Sequence, residues 1–303
     1  MSATDAPRTV AETARALSGL PFVKMTGSGN DFVVLDARDL RGTDITAPEV
    51  IACICNRNNG IGADGVVVIE PGTAPVDVRI RYFNRDGTAG DLCGNATLCS
   101  TALSAQLGLG AASGMRLATG AGVVTSRVTG GVPEIDLQPV RDVRLGVPVA
   151  LEVDEGPVGY AMVGVPHLVI VCRDADGVGL AARGPALRCH DALGPAGANV
   201  NWVSVLPNGR WRYRTFERGV EGETLACGTG AVATAVLLAS WGLAVGPQVL
   251  LQTSSGRDVT VLLRPALSDV AEGSSEAFQP TLRGEGRVVF RGTIGTLEID
   301  HTP

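Results

Sequence analysis

Two stretches of this 303-residue chain read alike. "FNRDGTAGDLCGNATLCSTA" covers residues 83–102 and "FERGVEGETLACGTGAVATA" covers 216–235. Each has a Phe, an Arg two residues later, a glycine-bearing polar loop, and a Cys-Gly pair opening onto small residues. Cys93 and Cys227 stand 134 positions apart, a little under half the chain. What precedes them is repeated too. "GVVVIE" (65–70) reads as a buried strand, and "VDVRIRYF" (76–83) alternates with period two. Val76, Val78, Ile80 and Tyr82 are expected inward, and Asp77, Arg79 and Arg81 outward. In the second half "VNWVSVL" (200–206) leads through an Asn208-Gly209 turn into "RWRYRTF" (210–216). A duplicated unit of this kind predicts two similar domains facing each other across a cleft.

The remaining strands are short and separated by Gly and Pro turns: "DFVVLD", "PEIDLQPV", "VGYAMVGV", "HLVIVC", "DVTVLL" and "RVVFRGTI". The segment "AVATAVLLASW" (231–241) is apolar nearly all round, and such a helix must be enclosed on most sides. The expected fold is therefore α/β (α+β). Two pseudo-symmetric domains each form a curved, mostly antiparallel sheet around a central helix, with the active site in the cleft. The helix of the first half is expected in "NATLCSTALSAQL".

Composition excludes several classes. The net charge of −6 argues against a nucleic-acid surface. No apolar run is long enough for a membrane span. The first twenty residues carry charges and no continuous apolar stretch, so they read as a short amphipathic or frayed extension rather than a secretory signal. Seven cysteines without a regular framework point to thiols in a reducing cytoplasm. Lys24 is the single lysine, in "PFVKM". A pyridoxal-phosphate enzyme needs a lysine for its Schiff base, so that chemistry would rest on Lys24 alone. The reading is of no cofactor. No metal site is expected either: Cys189 lies beside His190, but no further ligands stand at suitable spacing.

A thiol titrates near ~8.5, so little thiolate exists at neutral pH. Helix N-termini lower that value, because their unpaired N–H groups carry partial positive charge. The small residues after each cysteine let another group approach those donors. Two such sulfurs on opposite sides of one carbon could remove a proton and return one from the other face. Backbone N–H groups would stabilise the charge passing into a substrate carboxylate. Cys53, Cys55, Cys99 and Cys172, in apolar or small-residue stretches, read as packing residues.

The chain resembles the diaminopimelate epimerase family. The resemblance rests on "KMTGSGNDFVVLD" (24–36), "NNGIGADGVVVIEP" (58–71), "YFNRDGTAGDLCGN" (82–95), "GVPH" (164–167), "GPAGANVNWV" (194–203), "ERGVEGETLACGTGAVA" (217–233) and "TSSGRDVTV" (253–261). It implies Cys93 and Cys227 as an acid/base pair, with the reacting carboxylate on the backbone of Gly94-Asn95 and Gly228-Thr229. It implies that Asn30, Asn84, Asn199 and Arg218, with Glu217 nearby, hold the far end of an amino-acid substrate. His167 is expected just behind the site, and His190 and His301 on the surface. The resemblance implies cofactor-independent epimerisation of LL- to meso-diaminopimelate, in lysine and peptidoglycan precursor synthesis, by a homodimer. The expected domains are 21–140 with 286–303, and 141–285, after an extension at 1–20; the final strand (286–299) returns to the first domain. The segment 267–278 has no assigned place.

The chain departs from the family pattern in three places. Val165 stands where Asn usually precedes the Pro-His pair, and Ala96 and Leu98 replace Gly and Arg after the first Cys-Gly-Asn. These changes leave the two-thiol chemistry intact and leave the distal specificity open. Two other readings remain at this stage: the same chemistry on another amino acid such as histidine or a hydroxyproline, or a non-catalytic amino-acid-binding or redox protein.

Overall fold

A computed structural model describes residues 9–40, 43–265 and 278–298. The chain divides into two compact units, Met1–Gly130 with Gly286–Pro303, and Gly131–Glu285. In chain order the first unit holds α1 (Val10–Leu17), β1 (Pro21–Gly27), β2 (Asn30–Asp36), α2 (Pro48–Cys55), β3 (Gly65–Pro71), β4 (Val78–Asn84), β5 (Ala89–Gly90), α3 (Gly94–Gln106), β6 (Met115–Thr119) and β7 (Gly122–Thr129). The second holds β8 (Val132–Asp136), β9 (Val143–Arg144), β10 (Glu155–Val163), β11 (Val165–Cys172), α4 (Leu180–Arg188), β12 (Asn199–Val205), β13 (Trp211–Glu217), β14 (Gly222–Thr224), α5 (Gly228–Ser240), β15 (Gln248–Gln252), β16 (Asp258–Pro265) and β17 (Phe278–Arg283). The last strand, β18 (Arg287–Thr293), pairs antiparallel with β1 in the first unit.

The duplication is visible strand by strand. In the first unit β1 and β2 are antiparallel, β2 and β3 parallel, β3 and β4 antiparallel, β4 and β6 parallel. In the second unit β10, β11, β12, β13 and β15 repeat that sequence of pairings. The parallel register is the same: Val78 opposes Leu117 and Arg79 opposes Ala118, as Trp211 opposes Leu251 and Arg212 opposes Gln252. Each parallel crossover carries a helix, α2 and α3 in the first unit and α4 and α5 in the second.

Each sheet is covered on both faces, which is why its strands are apolar runs rather than clean alternations. Along β3, Val66 and Val68 join the cluster under α2, while Val67 joins Phe32, Ile80 and Ala96 on the α3 side. Along β12, Val200 and Trp202 face the cluster under α4. Every residue of α3 from Gly94 to Ser104 is buried, as is α5 from Gly230 to Leu238. α3 packs against β1, β2, β3, β4 and β7, and α5 against β10, β11, β12, β16 and β17. Both central helices are thus enclosed by curved sheet.

Several local expectations need correction. In β4, Phe83 is buried on the α2 side, and Arg81 is half-buried with its Nε 2.8 Å from Glu70 Oε1. Asp77 and Arg79 are exposed as expected, but toward the end of the strand that face passes into the cluster under α2, which takes up Phe83. The β12–β13 loop takes positive φ at Gly209 alone, with Leu206 N–H bonded to Arg210 O at 2.7 Å. It is a three-residue loop with a glycine bulge rather than a two-residue Asn-Gly turn. Within the extension, α1 is a capped helix. Thr9 and Glu12 form a reciprocal capping box, and Ala14 and Leu17 are buried. His190 is half-buried, its Nδ1 accepting from Ala192 N–H at 3.2 Å. His301 and residues 266–277 lie outside the described residues.

Candidate functional site

Cys93 and Cys227 are the N-cap residues of α3 and α5. Cys93 has φ −123° and ψ 116°, and Cys227 has φ −120° and ψ 110°. In both helices the first intrahelical bond returns to the cysteine carbonyl at 2.9 Å, from Thr97 and from Ala231. Neither cysteine side chain caps its own helix. The first N–H groups of an α-helix have no partner within the helix, so a helix start of this kind can offer donors to an anion. The helices also end alike, at Leu107 with φ −82° and Trp241 with φ −83°.

Around Cys93, the thiol points at Asn30 Oδ1 at 3.9 Å. Asn30 follows a two-residue turn in which Ser28 and Gly29 both take positive φ, so it opens β2 opposite Gly27. Its amide donates to Asp64 Oδ2 at 2.7 Å, which fixes which end of the amide faces the sulfur. Asp64 is held by Arg57 at 2.7 Å, and Arg57 also reaches Asp31 at 2.8 Å. Buried Lys24 lies 2.7 Å from Asp31. Burial works against ionisation of Asp31, yet hydrogen bonds from Arg57 and Lys24 bring its pKa down to about 2. Asn84 accepts from the Tyr82 hydroxyl at 2.9 Å and donates to Thr88 at 3.0 Å. Asn95, on the first turn of α3, is buried against Gly27; a Cβ at Gly27 would lie 3.1 Å from Asn95 Cβ.

Around Cys227, the sulfur is 3.5 Å from Thr229 Oγ1, which is 3.1 Å from His167 Nε2. Burial, with the charge of Arg218, pushes the His167 pKa down to about 3, so the ring is neutral. Glu217 accepts from the Thr224 hydroxyl. Burial raises the Glu217 carboxyl above its ordinary value, opposed by hydrogen bonds from Thr224 and Cys227. Asn199 Oδ1 accepts from the Arg218 N–H at 2.8 Å, and the Arg218 guanidinium donates to Ala196 O at 3.3 Å. Gly228 and Thr229 form the first turn of α5.

The first unit therefore gathers Asn30, Cys93, Gly94 and Asn95, with Asn84 held at the end of β4 by Tyr82 and Thr88, and the second gathers His167, Asn199, Glu217, Arg218, Cys227, Gly228 and Thr229. Sequence reasoning missed three polar side chains that touch these groups: Asp64, Asn201 and Tyr213. Asp64 stands in the "GADG" segment, so a signal was present. Along residues 210–216 the alternation of Arg210, Arg212 and Arg214 leaves Tyr213 on the opposite face, so a signal was present there too, whereas nothing in the sequence singles out Asn201 on β12. Lys24, in its ion pair with Asp31, also donates to Gly62 O. Among the described residues no group of three or more His, Cys, Asp or Glu side chains could hold a metal ion. No helix there is long and apolar enough to cross a membrane.

A family model described as diaminopimelate epimerase matches residues 22–138 and 159–271. The chain belongs to the diaminopimelate epimerase family. Both cysteines lie within the matched segments. A curated diaminopimelate epimerase of Gemmatimonas aurantiaca is 64% identical over 279 residues, covering 92% of this chain and 100% of the relative. Solved structures support the fold. A PhzF-family phenazine biosynthesis protein of Bacillus anthracis aligns with TM-score 0.68 at 16% identity, covering 90% of this chain and 98% of that one. A hydroxyproline epimerase of Agrobacterium vitis aligns with TM-score 0.63 at 18% identity, covering 92% and 93%. At such identities these two likenesses bear on the fold alone. Membership of the diaminopimelate epimerase family rests on the sequence matches.

Proposed function

We propose that this protein is a cofactor-independent isomerase that interconverts LL- and meso-2,6-diaminopimelate, with Cys93 and Cys227 as the acid and base. Family membership supports the reaction. The observation that carries the residue assignment is the pair of cysteines capping two helices with the same backbone geometry. Inversion at carbon needs a base on one face and an acid on the other. One thiolate takes the α-proton and becomes a thiol. The other thiol returns a proton to the opposite face and becomes a thiolate, and the reverse reaction exchanges the roles.

The carbanion places charge on the substrate carboxylate. The backbone of Gly94-Asn95 and Gly228-Thr229 receives that charge, since N–H groups at a helix start strengthen their bonds as it grows. Arg218 binds the distal carboxylate with its planar fork. Asn30, Asn84, Asn199 and Glu217 supply acceptors to the distal ammonium. His167, beside Thr229, orients the second half-site. The reaction belongs to lysine and peptidoglycan precursor synthesis in the cytoplasm, and the working form is a homodimer.

The test is solvent-deuterium exchange at the α-carbon, with LL- and meso-diaminopimelate offered beside hydroxyproline and histidine. Exchange with diaminopimelate alone is expected. Cys93→Ser and Cys227→Ser are each expected to lose nearly all epimerisation while keeping the parent's melting temperature. A variant that turns over normally would overturn the acid/base assignment.

A further inference from the structure

The two helix entrances share a backbone but differ in what lies behind them. Phe32 opposes Gly65 in the first unit as His167 opposes Asn199 in the second. Val67 opposes Tyr82 as Asn201 opposes Thr215, and Ile80 opposes Ile69 as Tyr213 opposes Val203. Ala96 and Gly230 are each the third residue after the cysteine. Phe32, Val67, Ile80 and Ala96 therefore correspond to His167, Asn201, Tyr213 and Gly230. The first set lies in one apolar cluster. The second places an imidazole, an amide and a phenol in the interior, all three almost wholly buried.

Burying such groups costs free energy unless they are paired, and here they pair in a directed chain. Asn201 Nδ2 donates to Leu168 O at 2.8 Å and faces His167 Nδ1 at 3.4 Å. Nδ1 is then the acceptor, and Nε2 carries the proton toward Thr229 Oγ1. With its oxygen accepting, the Thr229 hydroxyl turns its own proton to Cys227 Sγ. The Tyr213 hydroxyl lies 3.1 Å from both Asn201 Oδ1 and the Cys227 carbonyl. Gly230 makes room: a Cβ there would lie 2.3 Å from the Tyr213 oxygen and 2.6 Å from Asn201 Oδ1. The duplicate shows that an apolar set fills the same space, so packing alone does not require the polar one.

We infer that Asn201 and Tyr213 are positioning residues for Cys227: they fix the His167 tautomer, and through it the Thr229 hydroxyl, and hold the Cys227 peptide at the mouth of α5. This inference rests on the reading of Cys227 as an acid/base group.

The experiment compares Tyr213→Phe, Asn201→Asp and Cys227→Ser with the parent. It measures kcat and KM for diaminopimelate, melting temperature, and iodoacetamide alkylation rates at each cysteine by peptide mass spectrometry. The carboxylate introduced by Asn201→Asp would have no N–H to offer His167. Expected for Tyr213→Phe is a kcat lower by about 10-fold with KM within about twofold, and for Asn201→Asp a fall of about 100-fold, the scale of a small misplacement of a reacting group. The alkylation rate should change at Cys227 and stay constant at Cys93. If both folded variants keep kcat within twofold, or if both cysteines change together, the inference is wrong. Should Asn201→Asp not fold, Tyr213→Phe decides by the same criteria. Normal turnover by Cys227→Ser would instead refute the underlying assignment.

Discussion

Replacing Gly230 by Ala tests the packing argument at the mouth of α5 most directly. The added methyl would sit 2.3 Å from the Tyr213 hydroxyl oxygen, 2.6 Å from Asn201 Oδ1 and 3.4 Å from Cys227 Sγ. Ordinary contact begins near 3.4 Å, so the hydroxyl or the helix must retreat by about 1 Å. Tyr213 is 1% exposed, so its ring cannot retreat into solvent without opening the strand. Overpacking of this kind costs about 1–3 kcal/mol, set against about 1 kcal/mol that Ala gains over Gly in a helix. The expected net loss is about 1 kcal/mol, a fall of about 2–4 °C in melting temperature by calorimetry. The kinetic effect is larger. A shift of about 1 Å in the first turn of α5 misplaces Cys227 and the neighbouring amides, and about 100-fold in kcat/KM is expected, or ~2.7 kcal/mol. Adding Tyr213→Phe removes the nearest clashing atom. The double variant should recover part of the stability, with a coupling of at least ~0.5 kcal/mol, but not the turnover. Strict additivity, or a Gly230→Ala protein as active as the parent, would refute the reasoning.

Two further predictions concern pH. Asp31 has a folded pKa of about 2 against an ordinary 3.8, so the stability it contributes is present above about pH 4 and lost as pH falls toward 2. That contribution is on the order of 2 kcal/mol, and the acid limb of a urea-unfolding series should flatten between pH 4 and 2 in Asp31→Asn. His167 is held neutral with a pKa of about 3, while an unfolded histidine titrates near 6.5. The unfolded chain therefore binds the extra proton first, and stability should fall as pH drops below about 6.5. Ring carbon–proton NMR correlations of His167 should show no titration between pH 5 and 8; a midpoint in that range would contradict its enclosure.

The duplication was legible because its signals are local. A Cys-Gly pair before small residues reads as a helix start wherever it occurs, and two copies in similar surroundings reinforce each other. Strand positions were legible from apolar runs and turn residues. What alternation could not supply was the second covered face. α2 and α4 were not anticipated, so Arg81 was assigned to water; Asn201 and Tyr213 lie instead on the face toward α5, where the sequence offers no sign that polar groups pair beneath the helix start. The departure at position 96 carried more information than its small change of volume suggests, because it marks which half-site has an apolar backing.

The halves also diverge in the opposite sense on their other face. Lys24, Asp31 and Asp64 correspond by strand register to Tyr160, Pro166 and Ala198. The first unit therefore places a charged cluster where the second is apolar, and that cluster orients Asn30 beside Cys93. The second unit places its neutral polar chain where the first is apolar, and that chain ends on Cys227 and Thr229. Asn30 itself corresponds to Val165, which makes no comparable amide contact. The two helix starts share a backbone geometry, yet the side chains behind them are no longer equivalent. Each kind of backing suits what it touches: a fixed charge network holds the Asn30 amide in one orientation, and under the inference above a neutral chain of hydrogen bonds would do the same for the Thr229 hydroxyl.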